Sequence, residues 1–434
     1  MPWNRWYSIK SYIRSALWIV PLVAIALQVV VSRLTDALEA WLVKTGYMVE
    51  TSSYFGIGPA AVQSVMGVII TLTTSFLVFT FGSLLVAIQV AGGQYTPRII
   101  ATTLLRDNAL RYTVGLFVIT LLFAVRTLTH TTETVYQLST FIAVTLGWAC
   151  IVAFLFLIDY AARMLRPVSL VGYIGEQGIA VIESVYPNLV KDPTVPTAPG
   201  AKRGPPERTV RHRGKSGTVL AVNLDLLVAE AQRADGVIEF APQVGDFVAV
   251  DEPLFHVYGN AGVIDDDRLR AAVALGPERT LEQDPMFAFR IVTDIALKAL
   301  SAAINDPTTA VLAIDQLHRL LRAVGRRSLR AEEIVDKKGQ VRVIFRTPNW
   351  EDFVHITFRE IRHYGAGNIQ IARRLRAMAE NLMQTLPAHR HPALRIELEL
   401  LDRAIEKQYI FPEDRTLALI PDTQGLGGSE YNKS

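Results

Sequence analysis

A series of small and weakly polar side chains follows one long stretch of the sequence, Thr51 to Pro97, that contains no Asp, Glu, Lys or Arg. The apolar core of this stretch, Ala61 to Ala91, predicts a helix of about 46 Å, longer than the roughly 30 Å hydrocarbon core of a bilayer. The small and polar residues recur along it at steps of three, four or their multiples, so most of them share one face. They are Ser64, Gly67, Thr71, Thr74, Gly82 and Gln89, and Val78 lies on the same stripe.

Such a stripe has two physical interpretations. Small residues let helices approach closely in lipid, where packing replaces the hydrophobic effect as the source of helix association. Hydroxyl and amide groups between apolar flanks also suit the wall of a pore, with Val78 as an apolar constriction between two weakly polar zones. The stripe alone leaves both interpretations open, and in the second all seven residues are pore-lining.

A second candidate site is the string from Ser301 to Ala310, which ends one predicted helix and begins another. Asp306 is a good N-cap and Pro307 suits the first helical position, so a helix-turn-helix corner explains every residue of the string. The alternative is a corner that binds a ligand or partner through Asn305, Asp306 and Thr308.

The sequence offers no catalytic motif. We find no nucleophile motif, phosphate-binding glycine loop or zinc-ligand spacing, and Cys150 is the single cysteine. His355, Glu360 and His363 fall on one predicted helix, but two neighbouring ligands do not complete a metal shell. We therefore expect no enzyme activity, catalytic residue, metal or cofactor. The net charge of +3 gives no reason to expect nucleic-acid binding.

Four apolar runs are candidates for membrane spans, at about residues 15–31, 61–91, 111–129 and 134–158. The segment from Ser32 to Glu50 is predicted to be a separate amphipathic helix in the membrane interface. The interiors of the four runs lack ionisable side chains, which argues against a proton-coupled transporter. Eight basic residues fall on one side of these spans and three on the other, so the positive-inside rule predicts cytoplasmic N and C termini. The two sets are Arg5, Lys10, Arg14, Arg98, Arg106, Arg111, Arg163 and Arg166, and Arg33, Lys44 and Arg126.

The fold class predicted is an α-helical membrane domain followed by an α+β cytoplasmic domain. Short strands between Gly217 and Gly259 resemble the small barrel of biotinyl and lipoyl carrier domains, but no lysine occurs from Ser216 to Leu297 to carry the prosthetic group. The domains are expected at 1–166 (transmembrane), 167–206 (helical extension and Pro-rich linker), 207–262 (β-barrel-like module), 263–410 (helical bundle with a hairpin near 331–347) and 411–434 (flexible tail).

Over nearly its full length the chain resembles the domain-of-unknown-function 2254 family of predicted bacterial membrane proteins. The residues that carry this resemblance are Gln89 to Ile100, Thr103 to Asp107, Ile174 to Gly178, Gln283 to Pro285 and Asp294 to Ala310. The resemblance implies a protein of the bacterial cytoplasmic membrane with four spans and a cytoplasmic domain, of unassigned activity.

These observations lead to two hypotheses from different classes. The first is a homo-oligomeric ion channel or pore lined by the second span, with a cytoplasmic regulatory domain below it. The second is a membrane-anchored regulatory or scaffolding protein whose cytoplasmic domain binds a partner or small ligand. Both make the lipid bilayer a partner, and the first requires further copies of the chain.

Overall fold

The computed structural model describes residues 3–45, 58–94, 107–131, 135–164, 166–190, 204–329 and 333–427. The chain divides into two compact units. The helical unit consists of Ile13–Gly93 and Ile99–Arg166. The α/β unit consists of Met1–Tyr12, Gln94–Arg98 and Pro167–Ser434.

Four long apolar helices form the helical unit, as the sequence predicts. After a first helix, α1 (Trp3–Ser15), they are α2 (Ile19–Lys44), α3 (Pro59–Gln94), α4 (Asn108–His130) and α5 (Gln137–Met164). All four are long and apolar enough to cross a membrane. Their shared core contains Met66 and Ile69 from α3, Phe123 from α4 and Ala143 from α5.

Helix α2 differs from the predicted first span, 15–31, because it begins at Ile19 and continues without interruption to Lys44. Residues 32–44 therefore extend this helix instead of forming a separate interfacial one, and residues 46–50 of the predicted interfacial segment lie outside the described residues. Neither Gly nor Pro occurs between Leu22 and Lys44 to end the helix. The third helix, α4, has 23 residues, a length of about 35 Å that is sufficient to span a bilayer.

The longer α2 brings ionisable side chains into the helical unit. Glu39 is 7% exposed, and its carboxylate accepts hydrogen bonds from the Leu138 amide at 3.1 Å and the Ser139 hydroxyl at 2.9 Å at the start of α5. Asp36 forms an ion pair with Arg126 of α4. These ionisable side chains lie in the part of α2 beyond the predicted span, 15–31, whose own residues include none, so the prediction about proton-coupled transport stays a prediction.

Two β-sheets lie in the α/β unit. The strands are β1 (Arg208–Arg211), β2 (Gly217–Val222), β3 (Gly236–Phe240), β4 (Phe247–Val248), β5 (Pro253–Gly259), β6 (Val273–Gly276), β7 (Glu333–Val335) and β8 (Val341–Phe345). One sheet has the order β1-β5-β3-β8-β7 and the other β4-β2-β6. Phe240 and Phe255 are buried in the core between these elements.

The described strands form open sheets, so the predicted β-barrel-like module at 207–262 is not a closed barrel. The reason is pairing with distant segments. Strand β8 pairs in parallel with β3, placing Val343 opposite Ile238, and it takes the edge of β3 that a local barrel would need. Strand β2 pairs with β6, which lies beyond the predicted module.

Helices fill the rest of the α/β unit. They are α6 (Pro167–Val185), α7 (Leu224–Ala234), α8 (Asp266–Ala271), α9 (Pro285–Ala299), α10 (Pro307–Gly325), α11 (Trp350–Gly365), α12 (Ile369–Thr385), α13 (His391–Gln408) and α14 (Pro412–Ala418). Glycines let α6 approach α9 and α10 closely, since a Cβ at Gly178 would lie 2.8 Å from Leu320 and 2.9 Å from Ala288. Most of the predicted Pro-rich linker, residues 191–203, lies outside the described residues.

The predicted flexible tail, 411–434, is instead structured as far as residue 427. Helix α14 is followed by a turn in which Asp422, 2% exposed, accepts backbone hydrogen bonds from Gln424, Gly425 and Gly427. The buried guanidinium of Arg373 donates to the carbonyls of Ile420 and Gly427 at 3.0 and 3.2 Å. The polar composition of the segment suggested disorder, but Asp422 and the Arg373 side chain of α12 both bond to backbone groups of this segment. Residues 428–434 lie outside the described residues.

Candidate functional site

The seven predicted pore-lining residues share one face of α3, and this face is turned away from the other helices of the unit. Val78 is 69% exposed, and a Cβ added at Gly67 or Gly82 would meet no atom within 4 Å. Gly67 is half-buried, and the exposed residues are Ser64, Thr71, Thr74, Val78, Gly82 and Gln89.

The opposite face of α3 makes the contacts within the chain. Met66 lies two positions from Ser64, about 200° around the helix, and is completely buried. Phe76 stacks on Phe154 of α5 with ring centroids 4.1 Å apart, and a Cβ at Gly147 of α5 would lie 3.1 Å from Ile69. The chain thus occupies one side of α3 and leaves the small and polar side without a partner from its own described helices.

Hydroxyl groups on α3 bond to the helix itself. Ser64, Thr71 and Ser75 donate to the carbonyls four residues earlier, at 3.0, 2.9 and 2.8 Å. Their hydrogens therefore need no partner from outside the helix, while the oxygens remain able to accept from water. This face is chemically suited to lipid, to another helix or to water.

The predicted corner at 301–310 has the geometry of a capped helix start. Asn305 adopts a left-handed backbone with φ of 47°. Asp306 caps α10 because its Oδ1 accepts from the Thr309 amide at 3.0 Å and its Oδ2 from the Thr309 hydroxyl. The carboxylate of Asp306 thus serves as a helix cap, while Asn305 and Thr308 present exposed side chains.

Sequence reasoning missed a polar cavity of about 780 Å³ in the α/β unit. Its wall includes Asp284 and Gln283 at the start of α9, together with Asn223 and Thr347. The signal in the sequence was Gln283-Asp284-Pro285, which repeats the Asp-Pro pair of the Asp306 corner.

Asp284 is the most strongly perturbed acid of this cavity. It is 4% exposed, and its Oδ1 accepts from the Phe287 amide at 3.1 Å. Its Oδ2 has no hydrogen-bond partner, and the Nε of Arg279 lies 3.9 Å away. Burial raises the pKa of Asp284 to about 6, although Arg279 and the amides of Phe287 and Met286 favour the charged form.

Of the three titratable residues noted on α11, Glu360 and His355 lie in or beside ion pairs and His363 is exposed. Glu360 pairs with Arg290 of α9, and the pKa of Arg290 is raised chiefly by this carboxylate. His355 lies 4.0 Å from the buried Glu397. Within the part of the chain that the structure describes, no group of three His, Cys, Asp or Glu is arranged to hold a metal ion.

Comparison with known proteins places these features in a family. Residues 14–381 match the profile of a family described as predicted membrane protein, DUF2254. Uncharacterized proteins of Mycobacterium bovis and Mycobacterium tuberculosis are 24% identical to the chain over 434 aligned residues, which cover 96% of this chain and 81% of each relative. No solved structure matches the chain. The chain therefore belongs to the domain-of-unknown-function 2254 family of predicted membrane proteins.

Proposed function

We propose that this protein is a homo-oligomeric pore of the bacterial cytoplasmic membrane, lined by α3 and regulated by the α/β unit. The observation that carries the proposal is the exposed stripe of small and polar residues on α3. Within one chain the stripe lies opposite the packed face of α3, so it is available to face a second surface.

Copies of the chain supply that surface in the proposed assembly. Closed rotational symmetry is the common arrangement of homo-oligomers, and small residues allow neighbouring α3 helices to approach closely around the axis. Thr71, Thr74 and Gly82 then border the lumen, with Val78 at its apolar constriction. Apolar constrictions close pores by excluding water, so Val78 is the proposed barrier.

Conductance of the reconstituted protein tests this assignment. Val78→Ser makes the constriction polar, so leak conductance through planar bilayers should rise above that of wild type. Val152→Ser is the matched control, because Val152 of α5 is similarly exposed, at 66% against 69%, and lies outside the stripe. Equal conductance of the two variants, or no conductance from any of the three proteins, would contradict the proposal that the protein is a pore.

Cysteine accessibility provides an independent measurement. Single cysteines placed from Ser64 to Gln89 in a Cys150→Ala background should react with a water-soluble thiol reagent at helical period. The reactive positions should coincide with the stripe. Uniform lack of reaction, together with a monomeric particle in detergent, would count against both the lumen and the oligomer.

A membrane-anchored regulator is the second candidate function, and the cavity beside Asp284 favours it. A buried acid with an unbonded oxygen at the wall of a cavity is typical of ligand sites. If the protein is a membrane-anchored regulator, we expect the purified protein to be monomeric and Val78→Ser to leave bilayer conductance unchanged. Asp284→Asn should then alter the response to a ligand. Particle mass in detergent separates the two candidates most directly.

The proposal also includes the orientation expected from the basic residues. A reporter fused after Ser434 should be cytoplasmic, and one inserted near Thr51 should be external. An external C-terminal reporter would contradict the arrangement with both termini inside.

A further inference from the structure

A basic cavity of about 370 Å³ lies in the α/β unit between the first turns of α1 and residues of strands β5 and β6. Helix α1 is fixed there because Tyr7 packs with Leu220, Ala221 and Ala274 of strands β2 and β6. The residues Arg5 and Ser8 of α1 form one wall, and Arg213 belongs to the other. The volume is within the range of small-ligand sites.

Two guanidinium groups at this cavity are uncompensated. Arg5 and Arg213 are exposed, and in the described part of the chain their side chains make no hydrogen bond or ion pair. Arg270 also lines the cavity but is neutralised by Asp266 and Asp267 at 2.8 and 2.9 Å. The described residues of the lining include no Asp or Glu. The cavity therefore has the charge of an anion site.

Its floor is apolar, which distinguishes it from a site for a small soluble anion. Leu254 and Val273 line the cavity and are each 1% exposed, with Leu275 beside them. At the rim, Ile9 is 46% exposed. A ligand that complements both the basic wall and the apolar floor of the cavity needs a negative charge and an attached apolar part.

Helix α1 has the composition of an interfacial helix. Trp6 and Tyr12 are 50% and 57% exposed, and the Lys10 ammonium lies 4.7 Å above the Trp6 ring. Exposed aromatic residues beside basic ones are typical of the membrane-water interface. The candidate span α2 begins at Ile19, ten residues after Ile9 in the sequence.

We propose that this cavity binds the headgroup of an anionic phospholipid. The guanidinium groups of Arg5 and Arg213 bind the phosphate, for which the planar fork of arginine is well suited, and the hydroxyl of Ser8 donates a further hydrogen bond. The glycerol ester region lies over Leu254 and Val273, and the acyl chains leave past Ile9. Lipid binding at this site would link α1, and strands β2 and β6 on which α1 packs, to anionic lipid in the membrane.

Binding is measured on the full-length protein in uncharged detergent, with dioctanoyl phosphatidylglycerol, dioctanoyl phosphatidylcholine and inorganic phosphate as separate titrants. We expect saturable binding of phosphatidylglycerol and much weaker binding of the other two. Arg5→Gln with Arg213→Gln should weaken the binding of phosphatidylglycerol about tenfold or more, since the double variant loses charge-assisted hydrogen bonds to the phosphate. Ser8→Asp should weaken it as well, because it places a like charge against the phosphate.

The matched control is Arg403→Gln with Lys407→Gln, which removes the same charge from exposed positions of α13. It should bind like wild type, and all variants should keep the wild-type melting temperature. Wild-type affinity in the Arg5 and Arg213 variant would overturn the site. Equal affinity for phosphatidylcholine would overturn its anionic selectivity, and equal affinity for inorganic phosphate would assign the cavity to a soluble anion instead of a lipid.

Discussion

Replacing Asp284 by Asn should stabilise the α/β unit at neutral pH, and the gain should disappear in mild acid. The wild-type carboxylate is 4% exposed and its Oδ2 lacks a hydrogen-bond partner. Asn retains the oxygen that caps α9 through the Phe287 amide, and it cannot ionise. The change therefore removes a buried charge while keeping the cap.

The expected size of the effect follows from the pKa of Asp284. Burial raises this pKa from 3.8 to about 6, against the attraction of Arg279. A difference of this size corresponds to about 3 kcal/mol of unfolding free energy. Because the folded protein binds the proton more tightly than the unfolded chain, stability falls as pH rises from about 4 to about 6 and stays lower above that range. The Asn amide beside Arg279 is left unbonded at a cost of about 1–2 kcal/mol, so the net gain at neutral pH is about 1–2 kcal/mol.

Thermal unfolding of the full-length protein in detergent, at pH 7.5 and pH 4.5, measures this difference. One kcal/mol corresponds to about 2–4 °C for a unit of this size, so the gain at pH 7.5 should be resolved. Asp306→Asn is the control, since both oxygens of Asp306 already accept hydrogen bonds from Thr309, and it should bring no gain. A lower melting temperature for Asp284→Asn at pH 7.5, or an equal gain at both pH values, would refute the reasoning.

The remaining predictions concern helix starts and helix contacts. Asp306→Ala should lower the unfolding free energy by about 0.5–2 kcal/mol, and Asp306→Ser should recover most of it. If Asp306→Ala keeps the wild-type melting temperature but loses activity, the corner is a ligand or partner site. Gly178→Ala should destabilise by about 1–3 kcal/mol in denaturant titrations, because its Cβ would lie 2.8 Å from Leu320. Gly172→Ala on the same helix meets no atom within 4 Å and should be neutral or stabilising; similar losses for both glycines would contradict the packing argument.

Hydrophobic runs predicted the four apolar helices but gave the wrong extent for α2. Composition suggested that α2 should end where Arg33, Asp36 and Glu39 appear. The structure continues the helix, and the two carboxylates find partners far along the chain: Asp36 pairs with Arg126, and Glu39 accepts from the amide of Leu138 near the start of α5. A carboxylate at a helix N-terminus satisfies amides that have no partner within the helix. Such partners are separated by about 100 positions in the sequence, so local periodicity gives no sign of them.

The same limit explains the missing barrel. Alternating apolar residues and turns located individual strands such as β3 and β5, whose antiparallel pairing is local. Whether β3 belongs to a barrel or to an open sheet depends on the strand that pairs with its second edge. That strand is β8, which pairs in parallel with β3 from a segment about 100 residues later. Local patterns specify that a strand forms, while the partner of its second edge depends on the whole unit.

The two Asp-Pro pairs show how one local motif acquires two chemistries. Asp306 and Asp284 each accept from the amide three residues later, at 3.0 and 3.1 Å, and each precedes a proline that begins a helix, so N-cap rules account for both. They differ in the second oxygen. In Asp306 it is bonded by the neighbouring Thr309 hydroxyl. In Asp284 it lies under the loop at Gly245, whose carbonyl accepts two hydrogen bonds from Arg279 at 2.8 and 2.6 Å. That loop, drawn from about 40 residues earlier, removes water from the carboxylate, and it is this burial that turns a helix cap into a group that titrates near neutral pH.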